Sequence, residues 1–442
     1  MVSCAFAAHS QFTSGNLVVS YNVGNTSAGI YRTLSLQEFT TGTTGTLNSA
    51  MAVGAAISTA RITDDRRFAW EGQINTSADG KYIVLAGRDA ADGTAAAAAR
   101  AASLSVVRIP KAKVIEYTDF PAASTAFNAN STRSATSVNG NTIFVSTALS
   151  TADTGIRVVT FGDNTATNSY LASQTRSVSI WGNEFVAMGV PASGPASFIT
   201  GVATAPDTAP TETAFPVLTL PAVNDNLIGA VLFDVDLVEA GNDLMYVVQR
   251  NKGINKYSKT GGVWTFISST TPGDAYIGGF IGFVEMTGRV EGGKPVLYAI
   301  KSDGAAAPAG FKSNLYQIIV NTLRTGDWNI AGGFPTQTVI ATATEGTAQT
   351  FRGVTFAPIA TLSTNSFDQQ KAKVLLVYPS PDKTVLNVSN NNEAISVDVY
   401  NVLGQKVLSS KSQGDLRLNI SGLNAGFYIV RASSGETARF VK

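Results

Sequence analysis

The feature that most constrains the fold is a recurring unit of strand, glycine turn and second, more apolar strand. It is seen in "NTSADGKYIVLAG" (Asn75 to Gly87), "RSATSVNGNTIFVST" (Arg133 to Thr147) and "RSVSIWGNEFVAMG" (Arg176 to Gly189). Asp79-Gly80 and Asn139-Gly140 supply the positive φ angles of a tight hairpin. Trp181-Gly182 is a poorer turn, carried by its flanking pattern. "NDLMYVVQ" and "KPVLYAIK", with Tyr246 and Tyr298, echo the second strand, and Gly261-Gly262 marks a further hairpin.

These units recur every 40 to 60 residues or so, the size of a four-stranded propeller blade. A blade cannot bury both its faces alone, so neighbours must cover it. The near-continuous apolar runs "YIVLAG" and "LMYVV" suit strands covered on both sides. The expectation is an all-β chain in which residues 11–358 form a seven-bladed β-propeller with blades of about 50 residues. "NLVVSYNVG" is expected to pair with the last blade and close the ring. A two-sheet sandwich or a β-helix is the structural competitor, and the irregular spacing argues against the β-helix, whose coils are shorter and more regular. "DGTAAAAARAAS" (Asp92 to Ser103) lacks an apolar face and reads as a loop excursion rather than a short helix.

Charge excludes two kinds of partner. The chain has 32 Lys and Arg against 31 Asp and Glu, without the basic excess that drives binding to nucleic acid or anionic membranes. No run approaches the roughly 18 to 20 apolar residues of a membrane span. The single Cys4 and single His9 lie in "MVSCAFAAHSQ", which reads as residues 1–10 of a signal-peptide remnant ending in small residues. Cleavage after Ser10 leaves neither Cys nor His, which excludes disulfides, His- or Cys-based catalysis and zinc or copper sites with those ligands. No cofactor and no metal centre is expected.

Candidate ligand-binding residues come from the blade alignment. Arg133, Arg176 and Arg352 fall at the entry to innermost strands, and Glu71 takes the equivalent place in an early blade. Arginines around one carboxylate can hold an acidic sugar through bidentate contacts. The same side chains can instead tie neighbouring blades together. Glu71 and Glu285 are the first candidates for a carboxylate-based glycoside hydrolase or polysaccharide lyase. Asp234 and Asp236 in "FDVD" share a strand face but are too few for a calcium site.

After "FAPIA" the polar stretch at residues 359–373 reads as a linker. Residues 374–442 then alternate apolar and polar positions between glycine turns, predicting six or seven strands in a small antiparallel sandwich. Here the chain closely resembles the C-terminal sorting domain of the type IX secretion system of Bacteroidota. The family's opening aromatic-Pro-Asn-Pro appears as Tyr378-Pro379-Ser380-Pro381, with Ser for the usual Asn. Its middle motif appears as Tyr400, Asn401 and Gly404, its third as Gly426 and Tyr428, and a basic residue, Lys442, follows. The prolines fix an extended entry to the first strand.

The segments "SADGKYIVL", "NDLMYVVQRNKGINKYSKTGGVWTF" and "FRGVTFAP" resemble a family of secreted bacterial seven-bladed propellers. Asp207-Thr208-Ala209 resembles the acceptor motif for O-glycosylation in the same phylum, with Thr208 as acceptor. The resemblances imply passage through the periplasm, recognition by the type IX machinery, and release or attachment at the outer surface. The leading expectation is a non-catalytic binding protein for a glycan or surface component. The hydrolase or lyase is the alternative, and a structural scaffold or adhesin subunit the third.

Overall fold

The computed structural model describes residues 11–23, 29–41, 52–65, 71–121, 127, 131–148, 155–164, 173–182, 184–191, 198–202, 217–218, 227–235 and 241–249. It continues with 253–270, 281–291, 294–303, 313–320, 337–343, 350–359, 376–380, 382–389, 394–413, 416–433 and 437–442. The chain divides into two units, Met1–Ala360 and Thr361–Lys442. Cys4, His9, Thr208, Asp236 and Pro381 lie outside the described residues.

Among the described residues, the first unit is built from antiparallel strands in six groups. The first group joins the two ends of the unit: Thr350–Phe356 pairs with Leu17–Asn22, followed outward by Tyr31–Phe39 and Ala52–Asp65. The pairing expected of "NLVVSYNVG" is thus present, with Leu17 opposite Phe356. The second group runs Asn75–Thr76, Tyr82–Asp89, Leu104–Pro110, Glu116–Phe120. Two residue pairs, Ile62 with Asp89 and Thr63 with Arg88, join these two groups into one eight-stranded sheet.

The remaining groups are separate sheets. They begin at the inner strands Ser131–Ser137, Ser173–Trp181, Leu227–Phe233 and Ile281–Glu291. The first of them shows three strands among the described residues, and the others show four. The hairpin turns fall where the sequence placed them, with Gly80, Gly140 and Gly182 all at positive φ. Six groups appear among the described residues, and one of them is assembled from the N-terminal strands and the C-terminal strand of the unit.

Side-chain alternation explains the apolar runs. In Tyr82–Asp89, Ile83 and Leu85 pack toward the first group with Leu34 and Ile62, while Val84 and Ala86 pack toward the third with Ala135 and Val145. The same division recurs in Leu244–Gln249, where Met245 and Val247 face Val186 and Met188, and Tyr246 and Val248 face Phe283 and Leu297. Both faces of each central strand are therefore buried, so the pattern is continuous rather than alternating.

Two expectations are corrected. The Ala-rich run forms a short helix, Ala96–Arg100, the only α-helix among the described residues. Ala96 and Ala99 bury against Tyr31, so two alanines provide the apolar face that the pattern did not show. The strand containing the start of "FDVD" ends at Phe233, so Asp234 lies exposed beyond it rather than on a strand face, and Asp236 lies outside the described residues.

Among its described residues, the second unit has seven strands in two sheets. Leu376–Pro379, Val385–Ser389 and Leu416–Asn419 form one. Lys406–Gln413, Ala394–Asn401, Phe427–Ala432 and Thr437–Val441 form the other. Leu386, Val388 and Leu418 from the first meet Val397, Val399 and Val430 from the second in one core, as the alternating pattern predicts for a sandwich.

Candidate functional site

The inner strands pack on one another in succession. Asn75–Thr76 contacts Ser131–Ser137, and contacts continue through Ser173–Trp181, Leu227–Phe233 and Ile281–Glu291 to Thr350–Phe356, which contacts Asn75–Thr76. The segment from Glu71 to Ser77 lies where these strands meet. Its side chains and backbone reach all five other groups.

Gly72 permits this placement. Its φ is +79°, and a Cβ there would lie 2.5 Å from Asp64 Oδ2. The Gly72 carbonyl accepts a 2.6 Å hydrogen bond from Ser20 Oγ. Gln73 is buried, and its Nε2 lies 3.4 Å from the Ile228 carbonyl and 3.5 Å from that of Val284. Asn75 Nδ2 donates to the carbonyls of Ala135 and Val178 at 2.9 and 3.1 Å, and lies 3.1 Å from Ser134 Oγ. The Thr76 N–H donates to Thr355 Oγ1 at 2.9 Å. Gly353 completes the close approach, since a Cβ there would meet Ile74 N at 2.7 Å.

At the entry end of the inner strands, Arg133 Nη1 lies 3.7 Å from Glu71 Oε1, with side-chain exposures of 6% and 1%. Arg88 stands in the same field. Burial pulls its pKa down to about 10, against the charge of Glu71, and its guanidinium donates to the carbonyls of Ala102 and Phe127. Arg352 belongs to another set: its Nε donates to Asn22 Oδ1 at 2.8 Å and lies 3.6 Å from Asp64 Oδ2, while Asn22 Nδ2 also bonds Asp64. Arg176 is half-buried on Ser173–Trp181, with its Nε sealed inside. Of the four candidates, Glu71 and Arg133 come together, and Arg352 pairs elsewhere.

Glu285 sits at a bulge in Ile281–Glu291 and is 6% exposed. Burial drives its carboxyl well above the usual carboxylate range, and Oε2 has no hydrogen-bond partner among the described residues. Glu71 and Glu285 are thus both enclosed, and a solvent-borne substrate reaches neither without displacing the surrounding side chains.

The opposite end of the inner strands carries a cavity of about 190 Å³. Asn75 to Ala78, Ile180 to Gly182, Met286, Thr287 and Val354 to Phe356 line it. No Lys, Arg, Asp or Glu is among them. Sequence reading overlooked it, although Trp181-Gly182, an unusual turn pair, was the visible sign.

In the second unit, the motif residues are turn and closure groups. Ser380 Oγ accepts the Val385 N–H at 3.0 Å and donates to Asp382. Asn401 Oδ1 accepts the N–H groups of Leu403 and Gln405, both at 3.0 Å, and Gly404 completes that turn at φ +78°. Tyr400 Oη donates to Asp398 at 3.3 Å. Gly426 and Lys442 exchange backbone bonds, and Lys442 Nζ donates to the carbonyls of Ile420 and Ser421 at 2.6 and 3.1 Å. Tyr428 stacks on Phe440 at 5.4 Å and donates to the Asn424 carbonyl. Tyr378 is exposed, and Pro379 ends the first strand.

Comparison with known proteins adds to this geometry. No curated protein matches the sequence. The chain is similar to PorZ, described as an essential surface component of the type IX secretion system of Porphyromonas gingivalis: 11% identity over 95% of this chain and 65% of that chain, TM-score 0.31. The chain thus spans just under two thirds of the length of PorZ. It is also similar to AofleA from Arthrobotrys oligospora, at 9% identity over 81% of this chain and 92% of that one, TM-score 0.38. TolB from Acinetobacter baumannii is 12% identical over 78% of this chain and 67% of that one, TM-score 0.36. No helix among the described residues is long and apolar enough to cross a membrane. Residues 376–442 match the family described as the secretion system C-terminal sorting domain, so the tail of the chain is a sorting domain of that kind and indicates export to the cell surface or the extracellular space.

Proposed function

We propose that this protein is exported by the type IX route and acts outside the outer membrane as a non-catalytic binding protein for a glycan or another surface component. The sorting domain at residues 376–442 is the observation that carries the reading. The first unit is proposed to be a closed propeller of six blades. The succession of inner-strand contacts and the pairing of Leu17–Asn22 with Thr350–Phe356 support the closure. The enclosure of Glu71 and Glu285 argues against the hydrolase and lyase reading, and the enclosed pairs of Arg133 and Arg352 argue against an acidic ligand at that end. One observation favours the scaffold reading instead: Gln73 and Asn75 hydrogen-bond across the place where the inner strands meet, tying those strands together.

The test has two arms. Expressed in a bacterium with a type IX system, the full chain is expected at the surface or in the medium, and a chain lacking residues 376–442 in the periplasm, folded. Secretion of the shortened chain by the same route overturns the export reading. The purified protein is then applied to a glycan array and to bacterial surface polysaccharide. Retention without new reducing or unsaturated ends supports a binding protein. Release of such ends supports an enzyme, and absence of retention supports the scaffold.

A further inference from the structure

The geometry points to the 190 Å³ cavity at the exit end of the inner strands as a binding site for one uncharged pyranose ring, the terminal residue of a neutral glycan. This inference rests on the glycan-binding reading and adds to it a site and a ligand class.

The size comes first. Drug-sized ligands occupy pockets of about 300 to 1,000 Å³, so a cavity below that range suits a single small ring. The second constraint is charge. With no ionisable side chain in the lining, a carboxylated or sulfated ring would give up hydration without gaining a counter-charge. A neutral ring does not meet that penalty.

The third constraint is the pairing of aromatic and hydroxyl groups. Trp181 is fixed in place: its indole N–H donates to Ser179 Oγ at 3.0 Å, and its carbonyl accepts from Asn242 Nδ2 at 2.9 Å. Trp181 is part-buried, packs on two apolar cores and also borders the cavity. Gly182, at φ +58°, lets the chain turn directly after it. Phe356 is likewise anchored, with its ring 5.8 Å from that of Tyr298 in an edge arrangement. Arg289 lies 4.7 Å from the Phe356 ring, but its charge is engaged by Glu291 at 2.6 Å.

The hydroxyls differ in availability. Thr76 Oγ1 bonds the Phe356 carbonyl at 2.6 Å and Thr355 Oγ1 at 2.8 Å, and Ser77 Oγ bonds Asp79. The Thr287 hydroxyl has no protein partner among the described residues and borders the cavity. A pyranose offers an apolar C–H face and equatorial hydroxyls on one rigid ring. The preset indole matches the first, and Thr287 matches the second, without the ordering cost of a mobile site.

The test uses the full chain and a panel of neutral hexoses, deoxyhexoses and N-acetylhexosamines beside glucuronic and galacturonic acids, read by calorimetry and saturation-transfer NMR. At least one neutral sugar is expected to bind, with the uronic acids weaker. Trp181→Ala is expected to weaken it about tenfold, the upper range for loss of an aromatic contact. Because removal of the indole also touches two cores, Thr287→Val, which keeps the shape, is the second variant. It is expected to weaken binding severalfold with an unchanged melting temperature. Neutral-sugar binding unaffected by both variants overturns the site, as does preference for a uronic acid or failure of every neutral sugar. Retention of glycan on an array by Trp181→Ala and Thr287→Val chains at parental strength overturns the site alone and leaves the surface-binding reading standing.

Discussion

Arg133 and Glu71 face each other at 3.7 Å inside the first unit, and neither side chain exceeds 6% exposure. A pair in such surroundings gives less net stability than its Coulomb energy suggests, because both ions have left water. Breaking it by one partner is another matter. Arg133→Ala leaves the enclosed Glu71 charge without this cation, and we expect a loss of about 3 to 5 kcal/mol in urea unfolding. The double variant Arg133→Met with Glu71→Gln is expected to recover most of it. Equal losses in single and double variants would remove the pair from the account of stability.

Glu285 makes the opposite prediction about charge. Burial holds its proton in the folded protein well above the usual carboxylate range, whereas the unfolded chain releases it at an ordinary pKa. From about pH 4 to 5 upward the unfolded state therefore binds fewer protons, and stability falls with pH until the folded-state pKa is passed. The slope from one such group is about 1.4 kcal/mol per pH unit. Glu285→Gln removes the titration. Melting curves at pH 4, 6 and 8 are expected to diverge in favour of the variant as pH rises, and parallel curves would contradict the assignment.

Glu38 runs the other way. Burial pushes its pKa up, but Lys113 at 2.9 Å, the Thr13 N–H and Asn16 together outweigh burial and hold it below its ordinary value. Its stabilisation is present above the unfolded-state pKa and is lost as pH falls through the depressed one. Lys113→Met strands the carboxylate, with an expected cost of about 3 to 5 kcal/mol near neutral pH. The same variant is expected to lose less stability on acidification than the parent, because the proton no longer has to displace a cation. Fluorescence-monitored unfolding at pH 3.5 and 7 measures both.

Local chemistry decided what could be read in advance. Asp79-Gly80, Asn139-Gly140 and Gly261-Gly262 announce hairpins because a positive φ is a property of the residue itself. The apolar runs announce strands covered on both faces for a similar reason. Gln73 and Asn75 announce nothing, since their roles depend on carbonyls at Ile228, Val284 and Val178, far along the chain. Arginine entry positions were legible, but the partners of Arg352, Asp64 and Asn22, were not, because they come from strands of its own group that lie about 290 and 330 positions away in the sequence. The cavity around Trp181 was hidden because its lining comes from four groups.

The tail offers a prediction at its one departure from the sorting pattern, Ser380 in place of Asn. Ser380 Oγ accepts the Val385 N–H at 3.0 Å, while the Ser380 N–H donates to the Val385 carbonyl at 2.7 Å, so the turn closes on this residue. Lys383, at φ +55°, carries the chain through the bend. Asp382 locks it: hydrogen bonds from Ser380 and then Thr384 draw its pKa down to about 2. An Asn side chain also presents an acceptor oxygen, one bond further from the backbone, that closes turns of this kind. Ser380→Asn is therefore expected to preserve protection of the Val385 amide in hydrogen exchange of the full chain. Ser380→Ala is expected to raise its exchange roughly fivefold, the effect of losing one ordinary hydrogen bond. Because the folded-state pKa of Asp382 is depressed, protection is expected to hold as pH falls to about 3 and to weaken only near 2, where the carboxylate takes up its proton. Equal exchange in all three chains would show that the Val385 amide is protected by strand pairing alone.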